Sequence, residues 1–89
     1  MRGTTSTGFS FEIDKNIIAD DWELLELLVA ADAGDHSAAI SAMKQILGDS
    51  AYKALKEHVR KENGRVSSVR MKEEFMEILN QLGDATKNS

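Results

Sequence analysis

Apolar residues recur at intervals of three and four along most of this chain, as they do in amphipathic helices. Each apolar stripe lies between residues typical of helix boundaries, and the four segments are Asp20 to Gly34, Asp35 to Gly48, Asp49 to Gly64 and Ser67 to Gly83. An aspartate or serine before a stripe can cap the first turn of a helix, and a glycine after it suits the residue that ends one. The pattern therefore predicts four short helices.

The first predicted helix is apolar on more than one side. Asp20 is expected to cap it, with Glu23 three residues on in the capping-box position. Its apolar positions are Trp22, Leu24, Leu25, Leu27, Leu28, Val29 and Ala31. A helix with only one buried face needs fewer apolar residues, so we expect this one to be the central helix.

The N-terminal segment carries a different period. Residues 9–13 (Phe-Ser-Phe-Glu-Ile) alternate apolar and polar positions, which predicts a short strand. Residues 1–8 have no apolar anchor of this kind, and we expect them to be disordered. Nothing else in the chain alternates convincingly, so the strand is expected to lie on the helices as an extended arm or to pair with another molecule.

These elements predict an all-α domain, a compact bundle of about four short helices preceded by a short extended N-terminal arm or strand. With 89 residues there is room for one domain. We expect a disordered tail over 1–8, the helical domain over 9–83 and a polar tail over 84–89. Because the connections between helices are short, neighbouring helices should pack antiparallel or at steep angles.

Composition indicates a cytoplasmic protein. The chain has no cysteine, whereas secreted domains of this size commonly depend on disulfides. Its longest apolar run, residues 27–31, is far shorter than the ~20 residues of a membrane span. The start of the chain also lacks the apolar core of a signal peptide.

The candidate chemistry is sparse, and we expect neither an enzyme nor a cofactor. The two histidines, His36 and His58, do not accompany a recognisable nucleophile motif, and both are expected on helix surfaces. Asp32, Asp35 and His36 surround Gly34, but the twelfth residue counted from Asp32 is a methionine rather than the glutamate of a calcium loop. Helix termination and capping account for these residues without a metal.

Charge is divided along the sequence. Residues 11–35 contain eight carboxylates and one lysine, and residues 53–72 contain seven lysines or arginines and two glutamates. The two segments can neutralise each other or remain solvated on folding, or they can guide a partner or a second copy of the chain. The candidate basic patch consists of Arg60, Lys61, Arg65, Arg70 and Lys72.

This basic patch raises the alternative of a small helix-turn-helix DNA-binding regulator. The last predicted helix also carries Glu73, Glu74 and Glu77, which would face phosphates badly, and the whole chain has a net charge of −4. Both observations argue against nucleic acid as a partner.

The order and spacing of several segments resemble a known family. These segments are Phe9 to Asp14, Asp20 to Leu25, Asp32 to Asp35, Ile46 to Gly48, Leu55 to Val66 and Glu74 to Leu79. Together they resemble the small tail assembly chaperones of long-tailed phages and prophages of Gram-positive bacteria. The likeness runs from about Phe9 to Gly83 and lies in the order of generic helix boundaries rather than in a single motif.

The resemblance implies a non-enzymatic protein of the infected cell's cytoplasm. Such chaperones bind the long, aggregation-prone tape measure protein and help to recruit tail tube protein to it, and a longer frameshifted form is typical of the family. A host-directed adaptor or inhibitor would have the same sequence features. The residues expected to contact a protein partner are aromatic or apolar ones that the core might not use, namely Phe9, Phe11, Ile13, Trp22 and Tyr52. The alternative for each is that it completes the core.

Overall fold

The structure, a computed structural model, describes residues 1–87. It contains two strands and four helices within that range. The strands are β1 (Arg2–Thr4) and β2 (Ser10–Glu12), and the helices are α1 (Trp22–Asp32), α2 (His36–Leu47), α3 (Asp49–Val59) and α4 (Ser68–Lys87). The prediction of four helices is confirmed.

Aspartates begin the first two helices. Asp21, in extended conformation, accepts a hydrogen bond from the backbone N–H of Leu24, and Asp35 accepts one from Ala38. The predicted cap Asp20 was therefore wrong by one residue, because the neighbouring Asp21 satisfies the free N–H groups of the first turn. Gly34, at φ 105°, turns the chain from α1 into α2.

A single glycine joins α2 to α3. Gly48 has φ 83°, a conformation that favours glycine, and it ends α2 directly before the first residue of α3. Asp49 is that first residue rather than the cap predicted for it, and its charge favours the helix N-terminus.

A tight turn joins α3 to α4. The N–H of Lys61 donates to the carbonyl of Arg65 at 2.8 Å, and Arg60 pairs with Val66 in an isolated antiparallel bridge. The Ser67 hydroxyl then accepts from the N–H of Arg70 at 3.2 Å, as expected of a cap. The predicted end of the last helix at Gly83 was wrong, since α4 continues to Lys87. Residues 88 and 89 of the predicted polar tail lie outside the described residues.

The N-terminal segment forms a β-hairpin. β1 pairs antiparallel with β2, placing Arg2 opposite Glu12, Gly3 opposite Phe11 and Thr4 opposite Ser10. The predictions of a disordered segment over 1–8 and of a strand without a partner in the chain were therefore wrong. β1 has no alternating apolar residues, so its pairing could not be read from periodicity. The fold is mostly helical with a small two-stranded sheet, and not purely all-α.

The hairpin contributes to the hydrophobic core together with all four helices. α1 packs on α2, α2 on α3, and α3 on α4. The buried residues of the core cluster are Phe9, Phe11, Ile13, Leu24, Ala42, Met43, Ile46, Leu47, Leu55, Val59, Met71, Phe75, Ile78 and Leu82. Leu24 is the only residue of α1 that is fully buried, so α1 lies at the edge of the core and is not the central helix that its composition suggested.

Candidate functional site

The three predicted contact residues of the N-terminal arm are buried. Phe9, Phe11 and Ile13 belong to the core cluster and are each less than a tenth exposed. They are therefore not available to a partner. They complete the core instead, which was the alternative considered for each of them. Because β2 pairs with β1, its backbone finds hydrogen-bond partners within the chain and needs no second molecule.

The other two predicted contact residues lie nearer the surface. Trp22 begins α1 and is 73% exposed, so it does not complete the core. Tyr52 is half-buried on α3, with the ammonium groups of Lys44 and Lys56 at 5.5 and 5.0 Å from its ring centre. A cation over an aromatic face stabilises both groups, and it occupies part of the tyrosine surface.

The first residue of the predicted basic patch is engaged within the chain. Arg60 donates two hydrogen bonds to the carboxylate of Glu57, at 2.7 and 3.0 Å, and a third to the carbonyl of Gly64 at 2.7 Å. The hydrogen bonds from Arg60 lower the pKa of Glu57, and the same contact raises the pKa of Arg60. This guanidinium therefore closes the turn between α3 and α4.

The remaining basic residues do not form one face. Arg70 and Lys72 are two positions apart on α4, which separates them by about 160° around the helix axis. Arg70 lies by a small cavity together with Glu73, Glu74 and Glu77, whereas Lys72 lies at the edge of an apolar groove. Lys61 and Arg65 are exposed in the turn. The structure thus divides the five residues among different surroundings.

An apolar groove with a volume of about 730 Å³ lies between α1, α2 and α4. We call it the groove. Its buried floor includes Met43 of α2 and Phe75 and Leu82 of α4. Half-buried Leu28 and Leu79 form its walls, and Met76 projects at the rim. These α4 residues follow helical spacing, so the sequence pattern contained them, but it could not show that α1 leaves this face of α4 uncovered.

Polar and charged side chains lie at the rim of the groove. Lys15, His36 and Lys72 line it together with a single carboxylate, that of Asp32. His36 occupies the first turn of α2, as predicted, and is exposed. An apolar floor with a few polar groups around it is typical of binding sites for helices and for small ligands, and roughly 300–1,000 Å³ is their usual volume.

A polar cluster attaches the hairpin loop to α3 and α4. The Thr7 hydroxyl donates to Oε1 of Glu74 and lies 3.0 Å from Nε2 of His58. Glu74 is buried, although it is a carboxylate, and His58 also packs its ring 5.6 Å from that of Phe9. His58 is exposed on α3, as predicted, although Thr7 and Phe9 of the hairpin contact its ring.

The geometry of this cluster is that of a structural contact. In a nucleophile–base–acid arrangement, the acid bonds the histidine nitrogen that faces away from the nucleophile. Here Glu74 bonds Thr7 itself and approaches the same nitrogen, Nε2 of His58, at 3.9 Å. The backbone N–H of Ser6 adds hydrogen bonds to both oxygens of Glu77, at 2.9 and 3.0 Å. The cluster holds the loop on α3 and α4.

Residues 1–87 contain neither a cluster of metal-ligating side chains nor a helix suited to a bilayer. No three histidine, cysteine or carboxylate side chains are grouped so that they could hold a metal ion. None of the described helices combines the length and apolar character that crossing a bilayer requires.

Comparison with known proteins adds no relative. No family model matches the chain, and neither a search of curated proteins nor one of solved structures found a significant match.

Proposed function

We propose that this protein is a non-enzymatic tail assembly chaperone of a phage or prophage, and that its groove holds amphipathic helices of the tape measure protein. The observation that supports the proposal is the groove itself, an apolar surface open to solvent in a chain of only 89 residues. Soluble monomers rarely expose large contiguous apolar patches without a binding role.

The groove has the chemistry that a helix-binding site needs. Met76, Leu79 and Leu28 offer apolar contacts above the buried floor, and an amphipathic helix would cover them with residues at i, i+3, i+4 and i+7. Lys15 and Lys72 at the rim would favour carboxylates beside that apolar stripe. Such an interaction is reversible, as a chaperone requires, because each contact is small and not covalent.

The identity of the bound protein rests on the resemblance of the sequence to tail assembly chaperones. A tape measure protein is long and exposes apolar helical segments before the tail tube surrounds it. A small protein that covers these segments would keep them soluble, and tail tube protein would then replace it.

The test is co-expression with a tape measure protein from the genome that encodes this chain. We expect the wild-type chain to keep that protein in the soluble fraction, and the substitution Met76→Lys to abolish this effect by placing a charge at the groove rim. Val69→Lys is the matched control, since Val69 is 66% and Met76 55% exposed on the same helix and only Met76 lines the groove.

Three results would contradict the proposal. One is a tape measure protein whose solubility does not depend on this chain, and another is equal loss of the effect in both variants. The third is tight, salt-sensitive binding to DNA in a mobility-shift assay at ~0.15 M salt, which would favour the helix-turn-helix regulator instead.

A further inference from the structure

The outward side of α1 carries a second apolar surface, separate from the groove. Trp22, Leu25 and Val29, which we call the α1 stripe, are 73%, 36% and 64% exposed. Their spacing of three and four residues places them on one face of α1, away from the buried Leu24. None of the three lines the groove, to which α1 contributes Leu28, Ala31 and Asp32 instead.

The charged residues of α1 itself are all acidic. Glu26 and Asp32 flank the α1 stripe on either side of the helix, and Glu23 lies in the first turn. No lysine or arginine occurs between Lys15 and Lys44 in the sequence. Within residues 1–87, none of these three carboxylates takes part in an ion pair or accepts a side-chain hydrogen bond.

A shallow depression lies on the side of α1 that carries Glu23 and Glu26. It has a volume of about 420 Å³ and is lined by Asp21, Glu23, Glu26, Leu27 and Gln45. Among the described residues, three carboxylates and no lysine or arginine line this depression, which gives it a negative potential. A lysine or arginine side chain of a partner would fit this surrounding, with its stem against Leu27 and its charge near the carboxylates.

We propose that the α1 stripe is a docking surface for a cationic amphipathic helix of another protein. The apolar residues of that helix would cover Trp22, Leu25 and Val29, and its flanking lysines or arginines would enter the depression. The Trp22 indole adds a face on which a cation can rest. This surface and its partner do not depend on the function proposed for the groove.

A second copy of the chain is a poorer occupant. If two α1 stripes packed against each other, Glu26 and Asp32 of one copy would lie near the acidic side chains of the other. Like charges in such an interface disfavour association. The charge of the surface therefore favours a basic partner of different sequence.

Trp22 is the only tryptophan of the chain, so its fluorescence reports directly on this surface. The probe is a synthetic amphipathic peptide of leucine and lysine, about 18 residues long so that it forms a helix, and its counterpart has glutamate for lysine. We expect the lysine peptide to shift Trp22 emission to shorter wavelength in a saturable titration. Its Kd should rise at least about tenfold between ~0.05 and ~0.5 M NaCl, because salt screens exposed charges. The glutamate peptide should not bind.

Matched variants separate the site from net charge. The double substitution Glu23→Gln/Glu26→Gln should weaken binding of the lysine peptide about tenfold or more, whereas Glu62→Gln/Glu73→Gln removes the same charge elsewhere and should leave it unchanged. All four side chains are exposed, and thermal unfolding checks that both variants remain folded. Equal weakening in the two variants would overturn the inference.

Other outcomes would also overturn it. Binding of the glutamate peptide with similar affinity would show that charge does not select the partner. A shift of Trp22 emission with protein concentration alone would show that a second copy occupies the surface. Loss of peptide binding in Met76→Lys would place the peptide in the groove. If instead that variant binds the peptide normally but no longer keeps the tape measure protein soluble, the two surfaces act separately.

Discussion

The contact of Thr7 with Glu74 shows how one hydroxyl can fix a loop. Oε1 of Glu74 accepts from Thr7, while Oε2 is buried and has no hydrogen-bond partner among the described residues. Burying a carboxylate is costly, and the cost is reduced only where its oxygens are bonded. The Thr7 hydroxyl is therefore the group on which the burial of Glu74 depends.

We predict that Thr7→Val destabilises the protein by about 1–3 kcal/mol, because it leaves a buried carboxylate with one bond fewer. The double substitution Thr7→Val/Glu74→Met should recover most of this loss, since replacing both partners with apolar groups removes the unsatisfied acceptor. Urea unfolding of the single and double variants measures the difference. A double variant that is less stable than Thr7→Val would contradict this account of Glu74.

A second residue-scale prediction concerns Glu57 and Arg60. Because hydrogen bonds from Arg60 hold the pKa of Glu57 below its ordinary value of 4.5, Arg60→Gln should raise that pKa towards 4.5. Because the pKa of Glu57 is lower in the folded than in the unfolded chain, ionised Glu57 stabilises the fold at pH values above the unfolded-state pKa. This contribution is lost as the pH falls through the lowered pKa of the folded state. An NMR titration of the Glu57 carboxyl checks the shift. An unchanged pKa in Arg60→Gln would show that another group causes it.

At the scale of elements, glycines have two different roles in this chain. Gly48 ends α2 with a positive φ that other residues rarely adopt. Gly83 also follows an apolar helical stripe in the sequence. It lies inside α4, however, and does not have a positive φ. The packing of Leu82 in the core and the continuation of the helix to Lys87 decide this difference.

Alanine substitutions should separate these roles. Gly83→Ala should stabilise the protein by about 0.5–1 kcal/mol, because alanine favours the helix and its Cβ would meet no atom within 4 Å. Gly48→Ala should destabilise it by about 1–3 kcal/mol through backbone strain alone, since its φ of 83° and ψ of 163° are adopted almost only by glycine and its Cβ has space. Thermal unfolding midpoints compare the two. A stabilising Gly48→Ala would contradict the conformation of the α2–α3 junction.

At the scale of the whole molecule, the fold is thin. Its extents are 40 × 26 × 19 Å, and the shortest equals about two helix diameters. A molecule two layers thick cannot cover every apolar face of four helices. The groove and the α1 stripe are the faces left open, and for this reason both proposals concern protein partners.

The hairpin connects distant parts of this thin molecule. Gly3 of β1 faces Phe11 and α4, and a Cβ at this position would collide with the Gln81 side chain and lie 2.6 Å from Cζ of Phe11. The amide of Gln81 also donates to the carbonyl of Thr4 at 3.0 Å. The N-terminal hairpin therefore packs closely on the last helix.

We predict that Gly3→Ala lowers the free energy of unfolding by about 1–3 kcal/mol, because the added methyl group must displace Gln81 and Phe11. Arg2→Ala is the control on the same strand. Its ion pair with Glu12 is exposed, so its loss should cost no more than about 1 kcal/mol. Chemical unfolding of both variants gives the comparison. Equal stability of Gly3→Ala and the wild type would show that residues 1–8 are not packed on α4.

The boundaries of most helices depend on local chemistry and not on tertiary contacts. The caps Asp35 and Ser67 and the junction glycines Gly34 and Gly48 lie where the sequence indicated. Each depends on residues within a few positions, such as a side-chain oxygen that reaches the N–H three residues on. Such information is local, and so the sequence contains it.

Only the tertiary structure decided which apolar faces are covered and which polar groups meet. Several contacts join residues that the sequence pattern does not relate. They are the pairing of β1 with β2, the burial of Phe9 and Phe11, and the contact of Thr7 with Glu74. The apolar composition of α1 predicted burial, but α1 lies at the edge of the core and leaves Trp22 exposed. A hydrophobic pattern shows that a face can be buried, whereas the packing of the other elements determines whether anything covers it.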